Sequence, residues 1–258
     1  MRPSPWIVRR PDAPDALRLY CFCYAGGSPA SFLAWQDALG PSVAVHAIQL
    51  PGRGARFNEA PPDRFADLIA TLAAEIAQQG GAPFAFFGHS LGGLLAFELA
   101  RYQQAHGQRL PQHLFISGCA AARLRSPPKG LHRLADAALL EKLRDYNGTP
   151  PEVLANAELM DLLLPAIRAD FALVDNYCYR PAAALPMPIS VLAGTQEAYD
   201  SPAQVHGWGE ETSAGCAVHW FEGDHFFIQP RRADVLACIA RQLASTTAAA
   251  GFSFSMDD

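Results

Sequence analysis

The chain has 258 residues, of which 50% are hydrophobic and 17% charged, and its formal net charge is −5. This composition buries a large core, which excludes a mainly disordered protein. The acidic balance leaves no basic footprint for nucleic acid, and no apolar run reaches the roughly 18 to 20 residues that span a bilayer. The N-terminal residues lack the apolar stretch of a signal peptide, so we expect a cytoplasmic protein without membrane attachment.

Strand and helix patterns alternate along the first half of the chain. Apolar runs at 17–24 and 43–50 predict strands, each followed by a glycine-rich turn, and segments 31–39 and 64–79 predict helices. Such alternation is typical of a mostly parallel sheet with helices on both faces.

A continuous apolar run at 83–87 predicts a strand that is covered on both faces. A helix is predicted at 94–104 and another strand at 114–117. From about 121 to 180 the pattern is helical only, which predicts a helical insertion within a single α/β domain.

The strand–helix rhythm returns in the last third of the chain. Strands are predicted at 188–193 and 217–221, followed by a last helix at 231–243. The alanine-rich tail, 246–258, is expected to be disordered.

The string Gly88-His-Ser-Leu-Gly92 matches the G-x-S-x-G pattern of the nucleophile elbow in α/β-hydrolases. The pattern alone is weak, but here it stands directly between a predicted buried strand and a predicted helix, where the elbow belongs. We therefore predict an α/β-hydrolase fold with Ser90 as nucleophile.

An acyl-transfer site of this kind needs two backbone N–H groups to stabilise the oxyanion. The elbow supplies the N–H of Leu91, the residue after the nucleophile. The second donor is expected in the glycine-rich turn after the first predicted strand, with Ala25 as first candidate and Tyr24 as the alternative.

The catalytic base is expected late in the chain, because this fold orders its triad as nucleophile, acid and histidine. His225 follows the last predicted strand, at the sheet edge where active sites of open α/β sheets gather. His219 lies inside that strand pattern and is expected to pack against the sheet. We therefore predict His225 as the base.

The triad acid follows the strand predicted at 188–193, where Glu197 and Asp200 are both candidates. A carboxylate there would orient the imidazole and stabilise its charged form. Glutamate is an accepted alternative to aspartate in this fold. On this reasoning either residue is a candidate for the triad acid.

With these residues placed, the chain resembles the type II thioesterases that accompany polyketide synthases and nonribosomal peptide synthetases. The resemblance runs from about residue 19 to 241 and includes the strings around the elbow and the histidine. Further strings of the family occur at 22–28, 50–54, 147–154, 159–165 and 168–171.

The resemblance implies that Ser90 and His225 occupy catalytic positions and that the insertion is a lid over an acyl pocket. The family usually has Gly-x-x-Asp-Pro at the acid, whereas this chain reads Gly194-Thr-Gln-Glu-Ala198. The family's aspartate therefore falls on Glu197, which we prefer over Asp200.

The implied activity is hydrolysis of acyl thioesters on the phosphopantetheine arm of acyl or peptidyl carrier proteins. We expect a monomer that needs no cofactor and no metal. Apolar lid residues are candidates for the acyl pocket, and basic residues near its entry are candidates for contact with an acidic carrier. The pocket candidates are Leu139, Leu140, Leu143, Leu154, Leu162, Leu163 and Leu164, and the basic ones are Arg123, Arg125 and Lys129.

Of three rival functions, the same residues are compatible with two. The elbow, the oxyanion turn and the histidine equally suit a carboxylesterase or lipase that acts on free esters. They also suit an acyltransferase that passes the acyl group to an alcohol or amine. A non-catalytic module of this fold would be expected to lose Ser90 or His225, and both are present.

Overall fold

The computed structural model of the chain describes residues 4–11, 13 and 16–252, with side chains up to residue 246. Within these residues seven strands form one sheet in the order β1-β3-β2-β4-β5-β6-β7. All neighbouring strands run parallel except β1, which is antiparallel to β3. The strands are β1 (Ile7–Arg9), β2 (Leu17–Phe22), β3 (Val43–Ile48), β4 (Phe84–His89), β5 (Leu114–Ser117), β6 (Ile189–Gly194) and β7 (Cys216–Phe221).

Helices cover both faces of this sheet. The α-helices are α1 (Ala30–Leu33), α2 (Trp35–Leu39), α3 (Phe65–Ala77), α4 (Leu91–Ala105), α5 (Asp136–Tyr146), α6 (Pro151–Leu154), α7 (Ala157–Asp175), α8 (Pro202–His206) and α9 (Arg232–Phe252). One core cluster packs α3 and α4 on the sheet, and a second packs α1, α2 and α9 on the opposite face. None of the described helices is long and apolar enough to cross a membrane.

This architecture confirms the predicted α/β-hydrolase fold, and each of the six predicted strands is present. Strand β1 was not predicted, because its three residues in a proline-rich start are too few to show a periodic pattern. The helix predicted at 31–39 is interrupted at Ala34, which caps α1 and precedes α2.

The C-terminal helix also differs from its prediction. It continues through Phe252, into the segment 246–258 that was expected to be disordered. Residues 253–258 of that segment lie outside the described residues.

The segment between β5 and β6 holds the predicted insertion at 121–180. It contains α5, α6 and α7 together with two short 3-10 turns, and it has its own apolar cluster built on Leu139, Leu143 and Leu164. We call residues 121–180 the lid.

The strand order places the functional segments at one edge of the sheet. The chain moves from β2 to β3 in one direction and then returns to β4 on the other side of β2. Ligands of open α/β sheets bind at the carboxyl ends of the strands, next to such a reversal. The turn after β2 and the turn after β4 flank that point, and these turns carry Ala25 and Ser90.

Candidate active site

Ser90 lies between the end of β4 and the start of α4 in a strained backbone conformation. Its φ and ψ angles are 55° and −117°, in a region that residues other than glycine rarely adopt. The N–H of Ser90 donates to the Ser117 carbonyl on β5 at 2.8 Å, which holds the strained residue to the sheet. This is the strand–turn–helix geometry that the elbow pattern predicts.

The two glycines of the elbow permit this close packing. A Cβ added at Gly88 would lie 2.0 Å from the Gly92 carbonyl oxygen, and one at Gly92 would lie 2.1 Å from the Phe22 carbonyl oxygen. Both obstacles are backbone atoms, so they cannot turn aside as a side chain would.

Replacing Gly92 with alanine is therefore expected to lower the free energy of unfolding by about 3 kcal/mol or more. Gly209→Ala is the matched control, because nothing lies within 4 Å of a Cβ at that position. Urea unfolding followed by circular dichroism measures both variants. Equal stability of the two would contradict the close approach of α4 to β2.

His225 follows β7 and is almost fully buried, with 5% of its surface exposed. Its Nδ1 lies 2.7 Å from Oε2 of Glu197, in the loop after β6. The N–H of Tyr199 donates to the other carboxylate oxygen of Glu197 at 2.9 Å. The engaged Nδ1 leaves Nε2 as the ring nitrogen for a proton from Ser90.

The carboxylate of Glu197 is held in its charged form. Burial by itself would raise the pKa of Glu197, but the hydrogen bond and charge of His225 and the N–H groups of Tyr199 and Ala198 together lower it. An ionised Glu197 suits the task of orienting the imidazole and stabilising its cation.

Asp200, the other acid candidate, takes a different position. It lines the cavity at Ser90. Burial, and then the charge of Glu197, raise the pKa of Asp200 above its ordinary value. The structure thus pairs His225 with Glu197 and leaves Asp200 as a separate carboxyl group in the cavity.

The residues predicted to supply the oxyanion donors line the cavity at Ser90. Leu91 is the first residue of α4, where helix geometry leaves a backbone N–H without an intrahelical acceptor. Leu91 and Ala25 both line the cavity that contains Ser90 and His225. Tyr24, the alternative to Ala25, turns its ring against His89 and Phe226.

His89 supports the elbow from inside the sheet. It is fully buried, its Nδ1 lies 2.9 Å from the Ser117 hydroxyl, and its ring centroid lies 5.1 Å from that of His225. Burial, and then the neighbouring charge of His225, lower the pKa of His89 well below its ordinary value. His89 therefore packs beside His225 as a neutral ring.

The lid closes a cavity of about 380 Å³ over Ser90 and His225. Lid residues on its walls include Leu131, Tyr146 on α5 and Phe171 on α7. The leucines predicted to line the pocket do not do so. Leu139, Leu143, Leu154 and Leu164 are buried in the lid's own cluster. Leu140 and Leu163 pack against that cluster, and Leu162 is 55% exposed.

Two tyrosines that the sequence reasoning missed enclose the histidine. The Tyr199 ring lies 5.5 Å from the His225 ring at 90°, and the Tyr146 ring lies 5.9 Å away. The two tyrosine rings stack on each other at 4.3 Å. Tyr146 is far from His225 in sequence, so no local pattern could have indicated this contact.

The basic residues predicted near the entry all line the cavity. Arg123 forms an ion pair with Glu210, whereas the Lys129 ammonium lies 4.3 Å from the Tyr199 ring centroid. Arg125 contacts the sulfur of Cys119.

Comparisons with known proteins show the family of this chain. The family described as "Thioesterase domain" matches residues 17–243. The chain belongs to the thioesterase domain family. The predicted resemblance is thereby confirmed, and the protein is an enzyme of the thioesterase class.

Individual relatives cover nearly the whole length of this thioesterase. Thioesterase PikA5 from Streptomyces venezuelae is 36% identical and aligns with 95% of this chain and 87% of its own. A Brevibacillus parabrevis protein named linear gramicidin dehydrogenase LgrE is 37% identical, with 94% of each chain covered. The solved structure of BorB, a type II thioesterase of the borrelidin cluster, is 34% identical, covers 94% of this chain and 99% of its own, and superposes with a TM-score of 0.87.

Proposed function

We propose that this thioesterase hydrolyses acyl thioesters carried on the phosphopantetheine arm of acyl or peptidyl carrier proteins in a polyketide or nonribosomal peptide pathway. The observation that carries the proposal is the placement of Ser90, at its elbow, in one cavity with the His225–Glu197 pair beneath a helical lid. Similarity to a type II thioesterase of an NRPS/PKS pathway supports the substrate class.

In the proposed mechanism, Ser90 Oγ attacks the thioester carbonyl while His225 Nε2 takes its proton. Glu197 orients the imidazole and stabilises the imidazolium. The backbone N–H groups of Leu91 and Ala25 receive the oxyanion of the tetrahedral intermediate, and one such donor is worth about 3 to 4 kcal/mol in related chemistry.

The carbon–sulfur bond then breaks, and His225 returns the proton to the departing thiol. The acyl group remains on Ser90 as an ester. Water enters, His225 removes its proton, and attack on the ester carbonyl releases the free acid and restores the Ser90 hydroxyl. These steps use only side chains and backbone groups of the chain, so the proposal includes no cofactor and no metal.

The carrier protein is the proposed partner, with Arg125 and Lys129 on the cavity wall as its positive contacts. Burial lowers the pKa of Lys129, while Asp200 and Glu197 oppose that shift. We further propose that the enzyme is cytoplasmic and monomeric. Size-exclusion chromatography with light scattering would measure the monomer directly.

A carrier protein loaded with a short acyl group is expected to be a better substrate than an aryl ester of the same acyl length. The reason is that contacts with the carrier protein contribute binding energy that the small ester lacks. The measurement is kcat/KM for both substrates, with Ser90→Ala as the control for uncatalysed loss. A large preference for the free ester would instead identify a carboxylesterase.

Product analysis of the same reactions separates hydrolysis from acyl transfer. Mass spectrometry should find the free acid that a hydrolase releases, whereas an acyltransferase would give an ester or amide. A fluorophosphonate probe should label Ser90, and the failure of labelling would favour a non-catalytic binding module.

A further inference from the structure

A buried ion pair joins the lid to the loop that follows β3. The Nη1 and Nη2 groups of Arg53 donate to Oδ2 and Oδ1 of Asp170 at 2.8 and 2.7 Å. The two side chains are 7% and 0% exposed. Arg53 belongs to the string 50–54 and Asp170 to the string 168–171, two parts of the family resemblance that have no role in the proposed mechanism.

The same pair holds the turn that carries Ala25. The backbone N–H of Gly26 donates to Asp170 Oδ2 at 2.8 Å, and Arg53 Nη1 donates to the Gly27 carbonyl at 3.1 Å. The peptide group directly after Ala25 is thus fixed by a carboxylate on α7. One carboxylate therefore connects three segments: the lid helix, the loop after β3, and the turn with the proposed oxyanion donor.

Packing on α7 restricts the turn further. Gly26 has a φ of +74°, and a Cβ built there would lie 2.9 Å from Cγ1 of Ile167, which stands on α7 three residues before Asp170. The N–H of Gly27 closes the turn by donating to the Tyr24 carbonyl at 2.8 Å. The turn therefore has little room to rotate while α7 stays in place.

The geometry of the pair suits a positioning task. A bidentate arginine–carboxylate contact fixes orientation as well as distance, and buried bonds of this type are not loosened by water. Oxyanion donors must lie within about 2.7 to 3.1 Å of the oxygen they stabilise, so a small rotation of the Ala25 peptide would forfeit its contribution. Leaving Arg53 without its carboxylate would strand a buried charge, which makes the turn rearrange around it.

We propose that Asp170, together with Arg53, is a positioning residue that sets the Ala25 side of the oxyanion hole from the lid. This proposal rests on the proposed function, because it assigns Ala25 its role in that mechanism. The lid is then more than a cover over the cavity, since its long helix also holds a backbone group that takes part in catalysis.

Asp170→Asn tests the proposal, because it keeps the side-chain shape but removes the charge and one of the two acceptor oxygens. We expect kcat for acyl-carrier hydrolysis to fall by about 10- to 100-fold. Complete loss of one oxyanion donor lowers kcat by roughly 10²- to 10³-fold, and a displaced donor loses part of that contribution. The Kd of the acyl-carrier, measured in a Ser90→Ala background, should change by less than about twofold, because the carrier-bound acyl group is not held by this pair.

A second readout separates positioning from a purely structural role. An alkyl trifluoromethyl ketone is attacked reversibly by Ser90 and places its oxyanion in the hole, so its inhibition constant should weaken by the same factor as kcat falls. Asp136→Asn is the matched control, because Asp136 also pairs with an arginine of α7, Arg168, but is 67% exposed. That variant should leave kcat and the inhibition constant unchanged.

Unchanged kcat and inhibition in folded Asp170→Asn would overturn the proposal. If Asp170→Asn melts below the assay temperature, Arg53→Lys decides by the same two readouts, since lysine keeps the charge but cannot hold both carboxylate oxygens and the Gly27 carbonyl. If the native enzyme cleaves aryl esters but not acyl-carriers, the proposed function fails. The Asp170→Asn comparison on the aryl ester then still tests this inference.

Discussion

Replacing Ser90 with alanine is expected to lower kcat by about 10⁵- to 10⁶-fold, and replacing His225 with alanine is expected to cost nearly as much. His225 takes the proton that Ser90 loses as it attacks, so removing either residue ends nucleophilic attack. The double variant should therefore lose little more than either single variant. The residual rate would come from binding and from the N–H groups of Leu91 and Ala25.

The measurement is single-turnover hydrolysis of an acyl-carrier protein by the three variants, followed by mass spectrometry. Ser245→Ala and His206→Ala serve as matched controls, because both side chains are exposed and lie outside the cavity. Independent losses that multiply in the double variant would show that Ser90 and His225 do not act as a unit. In that case the assignment of one of them would be wrong.

The parts of the site that the sequence predicted are those with a local signal. Ser90 is marked by a buried strand, a five-residue pattern and a helix that follow one another directly in the chain. His225 is marked by its place just after the last strand, which the topology brings to the same sheet edge as Ser90. Both inferences depend on contiguous residues and on a rule for where parallel strands end.

Residues that pair across a long stretch of the chain show no such local signal in the sequence. Arg53 and Asp170 are separated by 117 positions, and neither side chain follows a periodic pattern that points to the other. The lid leucines show a related limit. An amphipathic pattern predicts that a face is buried, but it does not tell whether that face meets the cavity or the lid's own cluster. Here Leu139, Leu143 and Leu164 meet the cluster.

Which carboxylate serves as the triad acid depends on the backbone geometry of one loop. Glu197 and Asp200 stand three residues apart on one loop, and composition gives no reason to prefer either. In the structure the loop directs the Tyr199 N–H to Oε1 of Glu197, which leaves Oε2 for His225. The Asp200 side chain lines the cavity instead.

Glu197→Ala is accordingly expected to lower kcat by about 10³- to 10⁴-fold, the range for loss of the orienting acid in a serine triad. Asp200→Ala should lower kcat by less than about tenfold, since the carboxylate bonded to His225 Nδ1 is that of Glu197. Steady-state kinetics on one acyl-carrier substrate compares the two variants directly. Glu197→Gln adds a control of equal size that removes the charge and one of the two acceptor oxygens.

The pH dependence of kcat gives an independent check, because the pKa values of the two carboxyl groups are shifted in opposite directions from their ordinary values. The lowered pKa of Glu197 keeps it ionised to a lower pH than an ordinary glutamate, whereas the raised pKa of Asp200 brings its protonation to a higher pH than in an ordinary aspartate. If Glu197 orients His225, protonation of Asp200 costs little activity, and Asp200→Asn should reproduce the native acid limb. Two results together would identify Asp200 as the triad acid instead. The acid limb of the native pH profile would disappear in Asp200→Asn, and a large loss of kcat would be confined to Asp200→Ala.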